Sequence, residues 1–214
     1  MEPNLSQFSH HLRTRLEDPL PAETAWRNMV PTERINRSSW PEKNEHSKRS
    51  AVLMLFYEWE ATIHLPLILR NIYNGPHSGQ IALPGGRVEK TDQNFVDTAL
   101  REANEEIGVD RDQVEVIGQL SEIFIPPSQF WVQPIIGLVH NRPDFVPDPS
   151  EVQQVIEAPL SDFLNPKNIQ LKRLSLGNHL KFKAPTYQIK GHTVWGATAM
   201  MMSELVEVLT VKGK

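Results

Sequence analysis

The chain has 214 residues, 39% hydrophobic and 22% charged, with a formal net charge of −4 and no cysteine. That length fits one large domain or a domain with an extension, and the apolar share suffices for a core. The charge gives no basis for nucleic-acid binding, and the missing cysteines exclude disulfides, thiolate metal sites and cysteine nucleophiles.

Leu5, Phe8, Leu12 and Leu16 recur at three- and four-residue spacing and predict a short amphipathic helix ended by Pro19 and Pro21. Residues 1–47 read as this helix plus an irregular wrapping segment, because 19–48 holds four prolines and many polar residues. The N-terminus has no apolar run of signal-peptide length, and the longest apolar run, AVLMLFY at 51–57, is too short to span a membrane. The expectation is a soluble, cytoplasmic protein.

From Ser50 the texture changes. AVLMLFYE and TIHLPLILR (62–70) read as strands, with Pro66 marking an edge or a bulge. NIYNGPHSG (71–79) has loop chemistry, and QIALPGG is a short strand running into two glycines. A helix is predicted over 92–107, with Val96, Ala99, Leu100, Ala103 and Ile107 on one face, Asp92 as N-cap and Gly108 just past the end. Strands follow at 113–125, 130–140 and 151–164, the last closing in a turn of helix. IQLKRLSL and TYQI read as two more, and 194–209 as a final amphipathic helix. Mixed strands with few helices, without regular alternation, predict an α+β fold or an α/β sandwich with a mixed sheet.

REANEEIGV (101–109) places Glu102, Glu105 and Glu106 within about a quarter turn of one another, beside the apolar stripe. Arg101 is four residues before Glu105 and can pair with it. The stretch reads either as a solvated charged face or as a cation site. Acids in a last turn oppose the helix dipole, and a hard divalent cation would remove that cost. LPGGRVEKTD (83–92) puts Gly85 and Gly86 between a strand and this helix, where glycine permits tight turns and close ligand approach.

Together these segments resemble the Nudix hydrolases, whose signature is G-x5-E-x7-R-E-U-x-E-E-x-G-U. Arg101, Glu102, Ala103, Glu105, Glu106, Gly108 and Val109 match its second half and Gly86 its opening glycine. Gly86 and Arg101 stand one residue further apart than the signature allows. Counting forward places the first acid at Asp92 and counting back places it at Gln93, with Glu89 and Asp92 as the local substitutes. The same extension marks a subgroup similar to coenzyme A pyrophosphatases. Leu67, Arg70, Gly79, Pro84, Gly85 and Gly86 fall in register with its upstream motif, whereas Gly75 stands at its second arginine, Asn71 at its Ser/Ala and Leu83 at its Phe.

The resemblance implies a Nudix-like α/β/α sandwich with a mixed β-sheet over 48–209, leaving 210–214 as a tail. It implies hydrolysis of a nucleoside diphosphate derivative, here coenzyme A or acyl-CoA, with ADP-ribose or NADH as the alternative and a non-catalytic ligand-sensing module behind both. Glu102 and Glu106 are the implied Mg²⁺ or Mn²⁺ ligands, with Glu105 as a third or held by Arg101, which orients the carboxylates. Gly85 and Gly86 shape the loop beside the metal. Glu151 is the candidate general base, against a plain loop acid. Arg70 and Arg87 are candidates for phosphate contact or for surface salt bridges, and His77 for substrate contact. Trp131 and Trp195 either stack on adenine or pack in the core, and Met200–Met202 fill the core or face a partner. The partner implied is a small nucleotide, without nucleic acid or membrane, and a homodimer is compatible with the resemblance.

Overall fold

The computed structural model describes residues 4–31, 43–44, 46–73, 75, 77–176 and 180–210, with only the backbone of 176 and 180. Much of the irregular connection (32–42 and 45), part of the loop at 71–79 (74 and 76) and residues 211–214 of the tail therefore lie outside the described residues.

The first helix, α1 (Leu5–Leu16), starts at a reciprocal cap. Asn4 Oδ1 accepts from the Gln7 N–H at 2.9 Å, and Gln7 Oε1 accepts from the Asn4 N–H at 3.2 Å. Leu5, Phe8 and Leu12 face inward, as their spacing predicts. A four-residue helix follows, α2 (Glu23–Trp26), then the strands β1 (Lys48–Trp59), β2 (Thr62–Arg70), β3 (Ile81–Ala82) and β4 (Gly85–Arg87). The principal helix, α3 (Phe95–Ile107), leads to β5 (Glu115–Gln119), β6 (Ile123–Ile125), β7 (Phe130–Leu138) and β8 (Val152–Pro159). The chain closes with α4 (Leu160–Leu164), β9 (Ile169–Leu176), β10 (Leu180–Ile189), β11 (His192–Val194) and α5 (Gly196–Thr210).

The main sheet has the path β3-β2-β1-β7-β5, with β4 on β1, β6 on β7 and β8 on β2. β1 runs parallel to β7 from Lys48–Phe130 to Phe56–Leu138, and its other pairings are antiparallel, so the sheet is mixed. Alternation along β1 divides the core. Ala51, Leu53, Leu55 and Tyr57 pack with Ala99, Ala103 and Ile107 of α3, while Met54 and Phe56 pack with Phe8 and Leu12 of α1 and Met202 and Leu205 of α5. Helices thus cover both faces, which is the α+β sandwich expected. A second sheet, β11-β10-β9, packs alongside, with Tyr187 edge-on to Phe163 at 5.1 Å. Among the described residues no helix is long and apolar enough to cross a membrane.

Two local expectations are corrected. Asp92 is not the N-cap of α3: Asn94 is, its side chain accepting from the Asp97 N–H at 3.0 Å, so the helix starts three residues later. Gly85 and Gly86 do not form a loop. They pair with Val52 and Ala51 as part of β4, because a strand without side chains can lie in the narrow space between β1 and α3. Pro66 sits where β2 has left β1, after Thr62–His64, and has not yet met β3 at Ile68–Leu69, so its missing N–H breaks no pairing there. Gly108 ends α3 as expected, at φ 72°, with the Gly108 and Val109 N–H groups returning to Asn104 and Ala103 carbonyls.

Candidate active site

The site lies where β4, the C-terminal half of α3 and the end of β2 meet. A Cβ on Gly86 would stand 2.3 Å from the Glu102 carboxyl carbon, so only glycine leaves that carboxylate its place. At Gly85, φ is 152° and a Cβ would fall 2.3 Å from the Ala51 carbonyl oxygen, so backbone conformation and space both demand glycine. The Gly85 N–H donates to Glu106 Oε2 at 2.8 Å, and Arg70 Nη1 donates to Glu106 Oε1 at 3.0 Å.

Glu106 is the buried acid of the three, its side chain 2% exposed. Burial pushes its carboxyl up to about 7. The Gly85 N–H and Arg70 oppose that rise, and the nearby Glu102 and Glu151 charges add to it. Glu102 is raised too, by burial, against the pull of Arg101 and with the push of Glu105 and Glu151. Glu105 points outward, 57% exposed, and takes a 3.0 Å bond from Arg101 Nη1.

Arg101 gathers this face. Its Nη1 also donates to Glu102 Oε1 at 2.9 Å, its Nη2 to the Arg87 carbonyl at 3.0 Å, and its Nε and Nη2 to the two Asp92 oxygens at 2.9 and 3.0 Å. Asp92, not Gln93, is therefore the acid that meets the signature arginine. The turn between β4 and α3 absorbs the extra residue, with the Asp92 N–H on the Glu89 carbonyl and the Glu89 N–H on Asp92 Oδ2.

The end of α3 is stitched to the loop before β8. Val146 and Asp148 N–H groups donate to the Ile107 and Glu106 carbonyls at 3.0 and 2.9 Å. Asn71, just past β2, bonds to the Glu151 carbonyl through its N–H and to the Pro149 carbonyl through its side chain. These contacts hold Glu151, exposed, beside the acidic box, and it lines a cleft of about 550 Å³ with Arg70, Asn71, Ile72, Tyr73 and Ser150. His77 lies on the other side of Arg70, at φ 70°, with Nδ1 3.3 Å from Gln80 Oε1; burial lowers its pKa, Gln80 opposes that, and the Arg70 charge lowers it further. Arg87 is exposed beside Gly86.

Arg70, His77, Gly85, Gly86 and Arg87 also border a second cavity, of about 750 Å³. Its remaining wall comes from β1, β3, β6, β7, β10, α5 and the Val30–Pro31 segment and is mainly apolar, with Ser50, Tyr73, Gln80, Ser128, Lys181 and Thr198 as polar members. Trp195 stands in this wall against Phe182 (5.6 Å between centroids), whereas Trp131 packs on Phe124 at 5.4 Å. Met200, Met201 and Met202 are buried, the first two bordering the cavity. Neither this cavity nor the Arg70–Glu106 pair has a local sequence signal. Both join residues far apart in the chain: Arg70, His77, Arg87, Trp195 and the methionines are each named as separate candidates by the sequence, but not as neighbours.

The donor chemistry suits a hard cation: oxygen atoms only, two carboxylates one helical turn apart, both destabilised by burial and by a third nearby charge. As the side chains stand, arginines take these oxygens, and among the described residues no three acidic or histidine side chains already converge on one point.

The NUDIX domain matches residues 47–176. The chain is 34% identical to "Nudix hydrolase 15, mitochondrial" of Arabidopsis thaliana over 75% of its own length and 58% of that protein. It is 32% identical to "Uncharacterized Nudix hydrolase NudL" of Pectobacterium atrosepticum, over 75% of its length and 82% of the relative's. It is 31% identical to "Mitochondrial coenzyme A diphosphatase NUDT8" of Homo sapiens, over 63% and 58%. The chain thus spans more than half the length of the two mitochondrial relatives and most of the bacterial one. With its acidic helix, its paired glycines and its match over most of the sandwich, the chain belongs to the Nudix family.

Proposed function

We propose that the protein is a divalent-cation-dependent hydrolase that cleaves the diphosphate of coenzyme A or an acyl-CoA. The products are 4′-phosphopantetheine, with any acyl group, and adenosine 3′,5′-bisphosphate. The observation that carries this reading is the shared border of the acidic box and a large apolar cavity at Arg70, Gly85 and Gly86. A diphosphate attached to a long, weakly polar arm suits that junction better than one attached to a second nucleoside. The 31% identity to a protein named as a coenzyme A diphosphatase supports the same substrate.

Glu102 and Glu106 would hold the cation, Mg²⁺ or Mn²⁺, with Glu105 as a third donor. Such an ion, when bound, neutralises phosphate charge and acidifies water. Arg101, fixed by Asp92, orients Glu102. Arg70 and Arg87 draw the diphosphate by charge-assisted bonds, and His77 contacts the substrate from the cavity wall. Gly85 and Gly86 let the substrate approach the backbone. Glu151 takes the proton from the attacking water as the new P–O bond forms, and the anhydride P–O bond breaks with its electron pair leaving on the other phosphate.

ADP-ribose or NADH is the alternative substrate, favoured by Gly75 where the coenzyme A subgroup has its second arginine. A non-catalytic sensing role is disfavoured because Arg101, Glu102, Glu105 and Glu106 are all present. Product analysis across coenzyme A, ADP-ribose, NADH and diadenosine polyphosphates, with Mg²⁺ or Mn²⁺, tests the reading. Coenzyme A is expected to be cleaved best, with activity lost in chelator. Coenzyme A being no better than the others defeats the proposal.

A further inference from the structure

We infer that the exposed face of the β9–β10 ribbon is a docking surface for an anionic phospholipid bilayer. Charge is unevenly spread along the chain. Between Phe163 and Ser203 stand Lys167, Lys172, Arg173, Lys181, Lys183 and Lys190, with no acid among them. These six cations leave a formal −10 on the rest of a chain whose total is −4. Glu204, the next acid along, is fully buried. The strand register then sorts the cations. Arg173 is opposite Lys183, Ser175 opposite Lys181 and Leu171 opposite Pro185, so these side chains share one face of the ribbon. Arg173, Lys181 and Lys183 are exposed there, and so are Leu171, at 62%, and Ile169, at 40%.

Like charges directly opposite each other destabilise a strand pair, and a negative surface removes that cost. Among the described residues β9 is an edge of its sheet, and cations alone would guard such an edge against a second strand. A bare leucine in the middle of the same strand works against that guard and calls for an apolar partner beside the charge. A bilayer supplies both, anionic headgroups for the cations and hydrocarbon just below them for Leu171 and Ile169. Protein interfaces favour arginine and aromatic residues over lysine, and single-stranded nucleic acid is held by stacking on aromatic rings, whereas Phe182 and Tyr187 of β10 are buried. The acids elsewhere in the chain do not cancel this local field, because salt screens charges beyond about 8 Å at physiological strength. The expectation of no membrane partner is thereby revised, since contact at the surface needs no spanning helix. Lys181 also borders the large cavity, so docking on this face brings that cavity to the membrane.

The test is co-sedimentation of the chain with vesicles of phosphatidylcholine, alone or with about a third phosphatidylglycerol, at about 0.1 M and about 0.5 M salt. Binding is expected on the anionic vesicles at the lower salt, and about tenfold weaker or less at the higher salt and on the neutral vesicles. Arg173→Gln combined with Lys183→Gln should weaken partitioning about 25-fold, roughly fivefold per cation. Leu171→Ser should weaken it about tenfold. Arg173, Lys183 and Leu171 border neither cavity, and melting curves like the wild type's are expected for both variants. No binding to anionic vesicles, or binding that both variants leave intact, overturns the proposal. Binding to poly-glutamate or duplex DNA as tight as to the anionic vesicles overturns it in favour of an acidic protein or a nucleic acid. Self-association in sedimentation velocity that Leu171→Ser abolishes overturns it in favour of a second copy.

Discussion

Asp92 grips Arg101 side-on: one carboxylate oxygen accepts from Nε at 2.9 Å and the other from Nη2 at 3.0 Å. The parallel pair fixes the guanidinium plane, so the two N–H groups of Nη1 can serve Glu102 and Glu105. Arg101 holds the Asp92 carboxyl well below the usual carboxylate range; burial opposes that, and the Glu89 N–H and Thr98 add to it. A depressed folded pKa means stability that is full above the unfolded value, near 3.8, and is lost as pH falls through the folded one. Asp92→Asn is expected to cost about 1–3 kcal/mol at pH 7. It should also flatten the loss of stability below pH 4, both read by urea unfolding at neutral and acid pH.

The two glycines should fail differently. Gly86→Ala has an acceptable backbone but drives its Cβ into the Glu102 carboxylate, so the variant is expected to fold and to lose about 100-fold or more in turnover. Gly85→Ala meets both a positive φ and the Ala51 carbonyl, so it should lose cooperative melting altogether. Melting curves beside turnover separate the two, and equal behaviour of both variants would contradict this geometry.

Glu106→Gln keeps the size of the side chain but removes the charge that Arg70 and the Gly85 N–H face. Turnover is expected to fall about 100-fold or more while the melting curve stays cooperative. Wild-type-like turnover would sink the role given to Glu106.

Glu204 offers a pH test away from the box. It is fully buried in α5 and accepts from Trp26 Nε1 at 3.0 Å, the Ala22 N–H at 3.2 Å and the Ser121 N–H at 3.3 Å. Burial raises its carboxyl despite these donors. A raised folded pKa gives stability that is full below the unfolded value, near 4.5, and declines as pH rises through the folded one. Glu204→Gln should lack that decline, although turning an amide toward Trp26 costs about 1–2 kcal/mol. Urea unfolding at pH 5, 6 and 8 should therefore show the gap between wild type and variant narrowing upward in pH.

What the sequence carries in local pattern, it carries well. The periodicity of α1, α3 and α5, the glycine stop at 108 and the acidic run all read directly from neighbours in the chain. The N-cap was legible as well, since Asn94 with Asp97 three residues on is a capping signal that the nearby Asp92 obscured. Counting along the signature left Asp92 and Gln93 level, because residue counts do not register a turn that takes up one extra residue. Arg70 on Glu106, and Gly86 against Glu102, are meetings of separate elements: the signature contains Gly86 and Glu102 together but says nothing of their contact, and Arg70 lies outside it.

Glu204 ties Ala22 and Trp26 of the N-terminal segment and Ser121 of the main sheet's approach to β6 onto the last helix, and Ser203 adds a bond to the Ala25 carbonyl. Phe8 and Leu12 then cover the face of Met54 and Phe56 together with α5. A boundary drawn by likeness, at 47 and 176, consequently cuts through the hydrophobic interior. Expressed alone, that stretch would present one face of its sheet bare to water, and it should aggregate even though every residue of the acidic box is inside it.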